Sequence, residues 1–195
     1  MYWGQIAALG TAVCWTVTAL AFESAGKRIG SLAVNFIRLV MAVFFLAGAS
    51  WILRGVALPT DATLHAWIWL SISGIIGFTI GDMCLFEAFV VIGSRRSMLL
   101  MSLVPPMAAI IGWVVMGEVL TLQEWTGMAL TVGGVAWVIS ERQPPNVGTP
   151  APGLALGGVL LGLGGALGQA VGLVLSKYGM QDYSAVAATQ IRVFA

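Results

Sequence analysis

Asp82 stands about fifteen residues into an apolar run that covers 66–91, and Glu87 follows five residues later toward the end of that run. A carboxylate in such a stretch can bind and release a proton, or hold the cationic group of a solute. It can equally serve as a fixed hydrogen-bonding partner between packed helices. Gln169 is a lone amide among small and apolar residues, with no local group to satisfy it, so it faces a cavity or a neighbouring helix. Lys27, Arg38, Lys177 and Arg192 lie near the ends of apolar runs. From there a cation can extend to lipid headgroups or attract an anionic solute. The candidates for binding protons or solute are thus Asp82, Glu87, Gln169, Arg38 and Lys27. An ionised group at the centre of a bilayer costs roughly 2.5–3.5 kcal/mol on insertion scales, so each needs a partner or water.

Other residues point to structure. Glu118, in Met116-Gly117-Glu118, is placed to cap the free N–H groups of the segment that follows. Pro105-Pro106 falls inside an apolar run, where proline removes a backbone hydrogen bond and bends the helix, as a hinge or as a static kink. Gly158/Gly162 and Gly164/Gly168/Gly172 form rows of small residues that let helices approach closely. Thr16 and Thr18 are suited to bond back to their own helix, and His65 reads as a solvated loop residue. Cys14 and Cys84 lie in apolar runs and match neither a disulfide framework nor a zinc site. No GxSxG, HExxH or P-loop pattern occurs, so neither enzymatic chemistry nor a cofactor is expected.

The elements that carry these residues are membrane spans. The chain is 59% hydrophobic and 9% charged, with mean hydropathy +0.96, whereas soluble domains carry about 25% charged residues. So few charges cannot cover a water-facing surface, but they suffice where apolar side chains face lipid. A net charge of +1 offers no basic field for nucleic acid. A spanning helix needs about 20 mostly apolar residues. Runs at 3–22, 33–53, 66–91, 97–116, 125–139 and 154–175 meet that length or approach it, and a seventh starts near 185. Short connections make neighbouring helices antiparallel. Trp3, Trp51, Trp67 and Trp125 lie near run ends, where indole suits the headgroup layer, while Trp15, Trp113 and Trp137 sit deeper and read as packing residues.

The stretch 141–152 holds Pro144, Pro145, Pro150 and Pro152 and reads as a linker. After it, 161–177 can be laid on 11–27 without a gap, and Gln190-Ile191-Arg192-Val193 on Phe36-Ile37-Arg38-Leu39 with four extra residues. A five-helix unit at 1–140 followed by a second copy that starts at 153 would set the second copy upside down, because five is odd. Inverted repeats recur in secondary transporters, with substrate sites near the midplane between the copies. The second copy stops just past its matching arginine, so a truncated or partial carrier is expected.

The order and spacing of Gly81-Asp82, Ala88, Gly93-Ser94, Leu103, Pro105, Gly117-Glu118, Gln123, Gly127 and Gly133-Gly134 resemble the third to fifth helices of the EamA family of the drug/metabolite transporter superfamily. Lys27 and Arg38 fit that family's first hairpin, and the resemblance extends more loosely over 153–195. Pro105, Gly117, Glu118, Gly127 and Gly133 are its structural motif residues here. The resemblance implies an all-α polytopic bundle, related to ten-helix carriers of metabolites or drugs. It implies a small-molecule substrate, lipid surroundings and no cofactor, in the plasma membrane of a prokaryote. It also leaves a role for a second copy or a C-terminal half, and the rival reading is a non-transporting subunit or half-carrier. Orientation stays open. The odd-numbered connections hold Lys27, Arg28, Arg95, Arg96 and Arg142, and the even-numbered ones Arg54 and Lys177, which puts the N-terminus outside. The resemblance puts it inside.

Overall fold

The computed structural model describes residues 3–140 and 152–195, and all regular structure among them is helical. Helix α1 (Trp3–Ile29) and helix α2 (Ser31–Arg54) form an antiparallel pair. The third span is composite: α3 (Leu64–Gly74), a π-helical segment (Ile75–Gly81) and α4 (Asp82–Ile92). The fourth is broken into α5 (Ser94–Met101) and α6 (Val104–Met116). Helices α7 (Leu122–Ser140), α8 (Pro152–Met180) and α9 (Ala185–Phe194) complete the described chain. The linker expected at 141–152 lies outside the described residues except for Pro152, where α8 begins.

Five of these stretches are long and apolar enough to cross a membrane: Gly4–Ile29, Ser31–Arg54, Leu64–Ile92, Ser94–Met116 and Leu156–Met180. The chain is an all-α, polytopic membrane protein. Helix α7, the expected fifth span, falls short of that mark because its first turn carries Gln123 and Glu124. The helices also outrun their apolar stretches. Helix α1 continues past residue 22 through an i,i+4 pair in which Lys27 meets Glu23 at 2.5 Å.

Turn chemistry sets the ends. Gly93 joins α4 to α5 at φ 83°, and Gly117 ends α6 at φ 68°, both in a region costly for other residues. Pro105 and Pro106 stand in the first turn of α6, where their missing donors cost nothing. The expected bend falls just before them, at Ser102-Leu103, where the chain stays helical but tightens into i→i+3 bonds from the Ser102 and Leu103 N–H groups to the Leu99 and Leu100 carbonyls. The N-terminus of α7 is capped by a reciprocal box rather than by Glu118. The Thr121 N–H donates to Glu124 Oε2 at 2.7 Å, and the Glu124 N–H donates to Thr121 Oγ1 at 3.3 Å. Glu118 instead forms an ion pair with Lys177 of α8.

Helix α8 is the hub. It packs along α3, the π segment and α4, and also against α5 and α6. The small residues that permit this are Ala166 and Ala170, both fully buried, and a series of glycines. A Cβ on Gly168 would lie 2.7 Å from the Gly81 Cα, and one on Gly172 3.1 Å from the Gly77 Cα. Gly165 shares this close seam, whereas Gly164 makes only ordinary contact with Cys84. Helix α9 fits between α2 and α3. Helices α1 and α7 stay at the edge: α7 buries only Val135 among its residues, and Trp137, expected to pack, is 77% exposed.

Two membrane faces follow from the contacts. On the first face α1 ends, α2 begins and α4 turns into α5, tied by Glu23, which accepts from the Ser94 N–H at 2.8 Å. On the second face α2 ends, α3 begins, and α6 and α8 end together at the Glu118–Lys177 pair.

Candidate functional site

Arg38 lies about 10 Å in from the start of α2, and Asp82 about 15 Å in from the end of α4, at the 1.5 Å rise of a helix. Both positions are within the hydrocarbon. Arg38, read from the sequence as a helix-end residue, does not turn outward to the headgroups. It donates instead to Asp82 as an ion pair. Asp82 is 2% exposed, and its other oxygen accepts from the Gln169 amide at 2.6 Å. Helices α2, α4 and α8 therefore meet at one carboxylate.

The π segment explains why the three helices can meet there. An i→i+5 turn widens the helix and loosens its regular bonding, and such segments are often found at functional sites. Here two of its carbonyls are engaged by side-chain amides from other helices. Asn35 donates to the Phe78 carbonyl at 3.2 Å, and Gln169 donates weakly to that of Gly77 at 3.4 Å. The Asn35 oxygen in turn accepts from Arg38 at 3.1 Å. The ring of Phe78 is flanked by two guanidiniums, with Arg38 5.8 Å and Arg192 4.2 Å from its centroid.

Above this cluster a cavity of about 700 Å3 opens between α1 and α4. Thr11, Cys14, Trp15 and Thr18 form one wall, Leu85, Phe86 and Phe89 the other, and Arg38 and Asp82 the polar floor. A second, apolar cavity of about 410 Å3 lies between α1 and α2 and also borders Arg38. The combination of aromatic walls with a few convergent polar groups is that of small-molecule sites. Among the described residues no group of three His, Cys, Asp or Glu side chains could hold a metal ion.

Residues 2–140 match the model of the EamA-like transporter family. The chain belongs to that family. No curated protein and no solved structure matches it. The family is one of membrane transporters, which gives the buried polar cluster of this EamA-like chain a setting of small-molecule substrates and lipid.

Of the residues singled out by sequence, Asp82, Arg38 and Gln169 come together. Lys27 and Glu87 do not. Lys27 is exposed and paired with Glu23, and Glu87 accepts from the Ser31 hydroxyl at 2.5 Å at the first face. Of the motif residues, Pro105 opens α6, Gly117 closes it, and Glu118 binds Lys177. A Cβ on Gly127 or Gly133 would meet nothing within 4 Å. Thr16 bonds back to the Ala12 carbonyl at 2.9 Å, while Thr18 lines the cavity. His65 is not a free loop residue: it stands in the first turn of α3, half-buried against Tyr178, with ring centroids 5.4 Å apart. Asn35, Phe78 and the burial of Arg192 escaped the sequence reading. Asn35 had one available signal, since i,i+3 spacing puts it on the same helix face as Arg38.

Proposed function

We propose that this protein is a secondary carrier of small polar or amphipathic solutes, working by alternating access between two inverted five-helix-type units, 1–140 and the segment from 153 onward. The observation that carries the reading is the buried Arg38–Asp82–Gln169 junction, which lies at hydrocarbon depth under an aromatic-walled cavity and joins helices of both units. A structural ion pair would need no such cavity beside it. Helix α8 ends on the opposite face from α1, its counterpart in the repeat, as inversion requires.

Rocking requires contacts between the units that can break and re-form. At the second face Lys177 binds Glu118, and the Tyr183 hydroxyl donates to Asp61 at 2.8 Å, so both ties link 1–140 to the α8–α9 region. Asp82 is the only buried carboxylate among the described residues, and it serves as the proton-coupling group. The setting is the plasma membrane of a prokaryote.

The test is flux into proteoliposomes loaded with a pH-sensitive dye, using benzylamine, benzamide and benzoate as cationic, neutral and anionic solutes. Solute-linked proton movement is expected for the intact protein and not for Asp82→Asn, which should still allow solute exchange. Unchanged proton coupling in Asp82→Asn removes Asp82 from that role, and no flux of any solute removes the carrier reading.

One observation favours a second reading, a half-carrier that acts only with a partner. Among the residues of α1 whose burial is described, nearly all are exposed and Ala19 is the only buried apolar one, whereas α8 is packed on several sides. Cys14 is exposed on α1. Efficient bismaleimide crosslinking through Cys14 in native membranes supports the partnered form, and its absence with flux intact excludes it.

A further inference from the structure

Arg192 is 7% exposed, and among the described residues nothing pairs with its Nε or Nη2. Its position is built. A Cβ on Gly77 would come within 3.2 Å of Nη2, and one on Gly172 within 3.4 Å, so two glycines on facing helices keep a notch open for the guanidinium. Phe78 supplies a flat face 4.2 Å away. In this conformation the backbone of Arg192 is pressed against Gly74, where a Cβ would fall 2.0 Å from the Arg192 carbonyl oxygen, and this contact sets the depth of the guanidinium.

The charges at this level do not balance. Arg38 and Arg192 flank the same Phe78 ring, about one turn before Asp82 in the chain, but Arg38 already forms the ion pair with Asp82. Two guanidiniums therefore share one carboxylate, and arginine stays protonated in proteins. Among the described residues Arg38 Nε is also without a partner. Buried charges are normally paired, and a planar guanidinium fork matches the two oxygens of a carboxylate or phosphate.

Resting on the carrier reading above, we infer that Arg192 receives the oxyanion of the transported solute, a carboxylate or a phosphate carried on a small amphipathic body. Arg192 borders neither cavity in this conformation. Movement of α8 and α9 against the third span opens the glycine notch and brings the guanidinium to the solute. The solute's anion then completes the charge balance, while Trp15, Phe86 and Phe89 receive its apolar part.

The experiment is thermal unfolding and tryptophan-fluorescence titration of the full chain in neutral detergent micelles at constant ionic strength. The probes are benzoate, inorganic phosphate and benzamide, each with and without phosphatidylglycerol. Benzoate and phosphate are expected to stabilise the protein and benzamide is not. The benzoate Kd should weaken at least tenfold in Arg192→Gln and only a few-fold in Arg192→Lys. If Arg192→Gln does not fold, the lysine variant and the benzoate–benzamide contrast in the unaltered protein still decide. Equal effects of benzoate and benzamide overturn the inference, as does unchanged benzoate affinity in either variant. Stabilisation by phosphatidylglycerol that abolishes the response to benzoate makes a lipid headgroup the occupant and overturns it too. Flux without preference for the anion defeats this inference alone, whereas anion binding without any flux defeats the carrier reading alone.

Discussion

Replacing Gly168 by alanine tests the seam that holds the site together. The new Cβ would lie 2.7 Å from the Gly81 Cα and 3.1 Å from the Ile76 carbonyl oxygen. Carbon atoms pack at about 3.5–4.0 Å, so α8 and the third span must part by roughly 1 Å. Both opposing atoms belong to backbone and cannot rotate away. Overpacking of this kind costs about 1–3 kcal/mol. Gly164→Ala is the matched control, since its Cβ would sit 3.7 Å from the Cys84 Sγ, an ordinary contact. Both alanines share the helix-propensity gain over glycine, about 1 kcal/mol, which cancels in the comparison. At about 2–4 °C per kcal/mol for a chain of this size, the Gly168 variant should melt about 2–12 °C below the Gly164 variant in detergent. The same displacement would stretch the neighbouring Gln169–Asp82 bond from 2.6 Å to beyond hydrogen-bonding range, so solute-linked proton movement should weaken as well. Equal melting temperatures for the two alanines would refute the close approach on which the site geometry rests.

At the second face, the Arg54 guanidinium 2.5 Å away holds the Asp61 carboxyl below the usual carboxylate range, with the Tyr183 hydroxyl adding to the effect. A lowered folded value means that the tie is present above the ordinary carboxylate pKa and is lost as pH falls through the lowered one. Amide protection factors, corrected for the pH dependence of intrinsic exchange, should therefore fall together in the loops before α3 and before α9 on acidification below about pH 4, and Asp61→Asn should lower both at neutral pH. Thr121→Ala removes one half of the α7 cap. It should cost about 0.5–2 kcal/mol, seen as faster exchange in the first turn of α7 with the Asp82 cluster undisturbed; a uniform loss of protection across all helices would contradict a local cap.

Much of this architecture could be read from residue types. Hydrophobic runs long enough to cross lipid, ended by Gly93, Gly117 and the prolines, located the helices. Low charge density required lipid around them, and the ordered motif from Gly81 to Gly134 identified the family. Asp82 and Gln169 stood out because a polar group in hydrocarbon must have a partner.

Which partner each group takes was decided only by the tertiary structure. Hydropathy places a residue at a depth but leaves helix rotation free, so Arg38 could be read as a snorkelling cation and Glu118 as a cap. Rotation is set where backbones touch, at Gly77 and Gly81 against Gly168 and Gly172, across about ninety residues of chain. That contact turns Gln169 onto Asp82, lodges Arg192 beside Phe78 and leaves Lys27 and Glu87 at the rim. The π turn over Ile75–Gly81 was likewise seen only in the structure: glycines and β-branched residues weaken the helix there, but they do not tell which carbonyls Asn35 and Gln169 will reach.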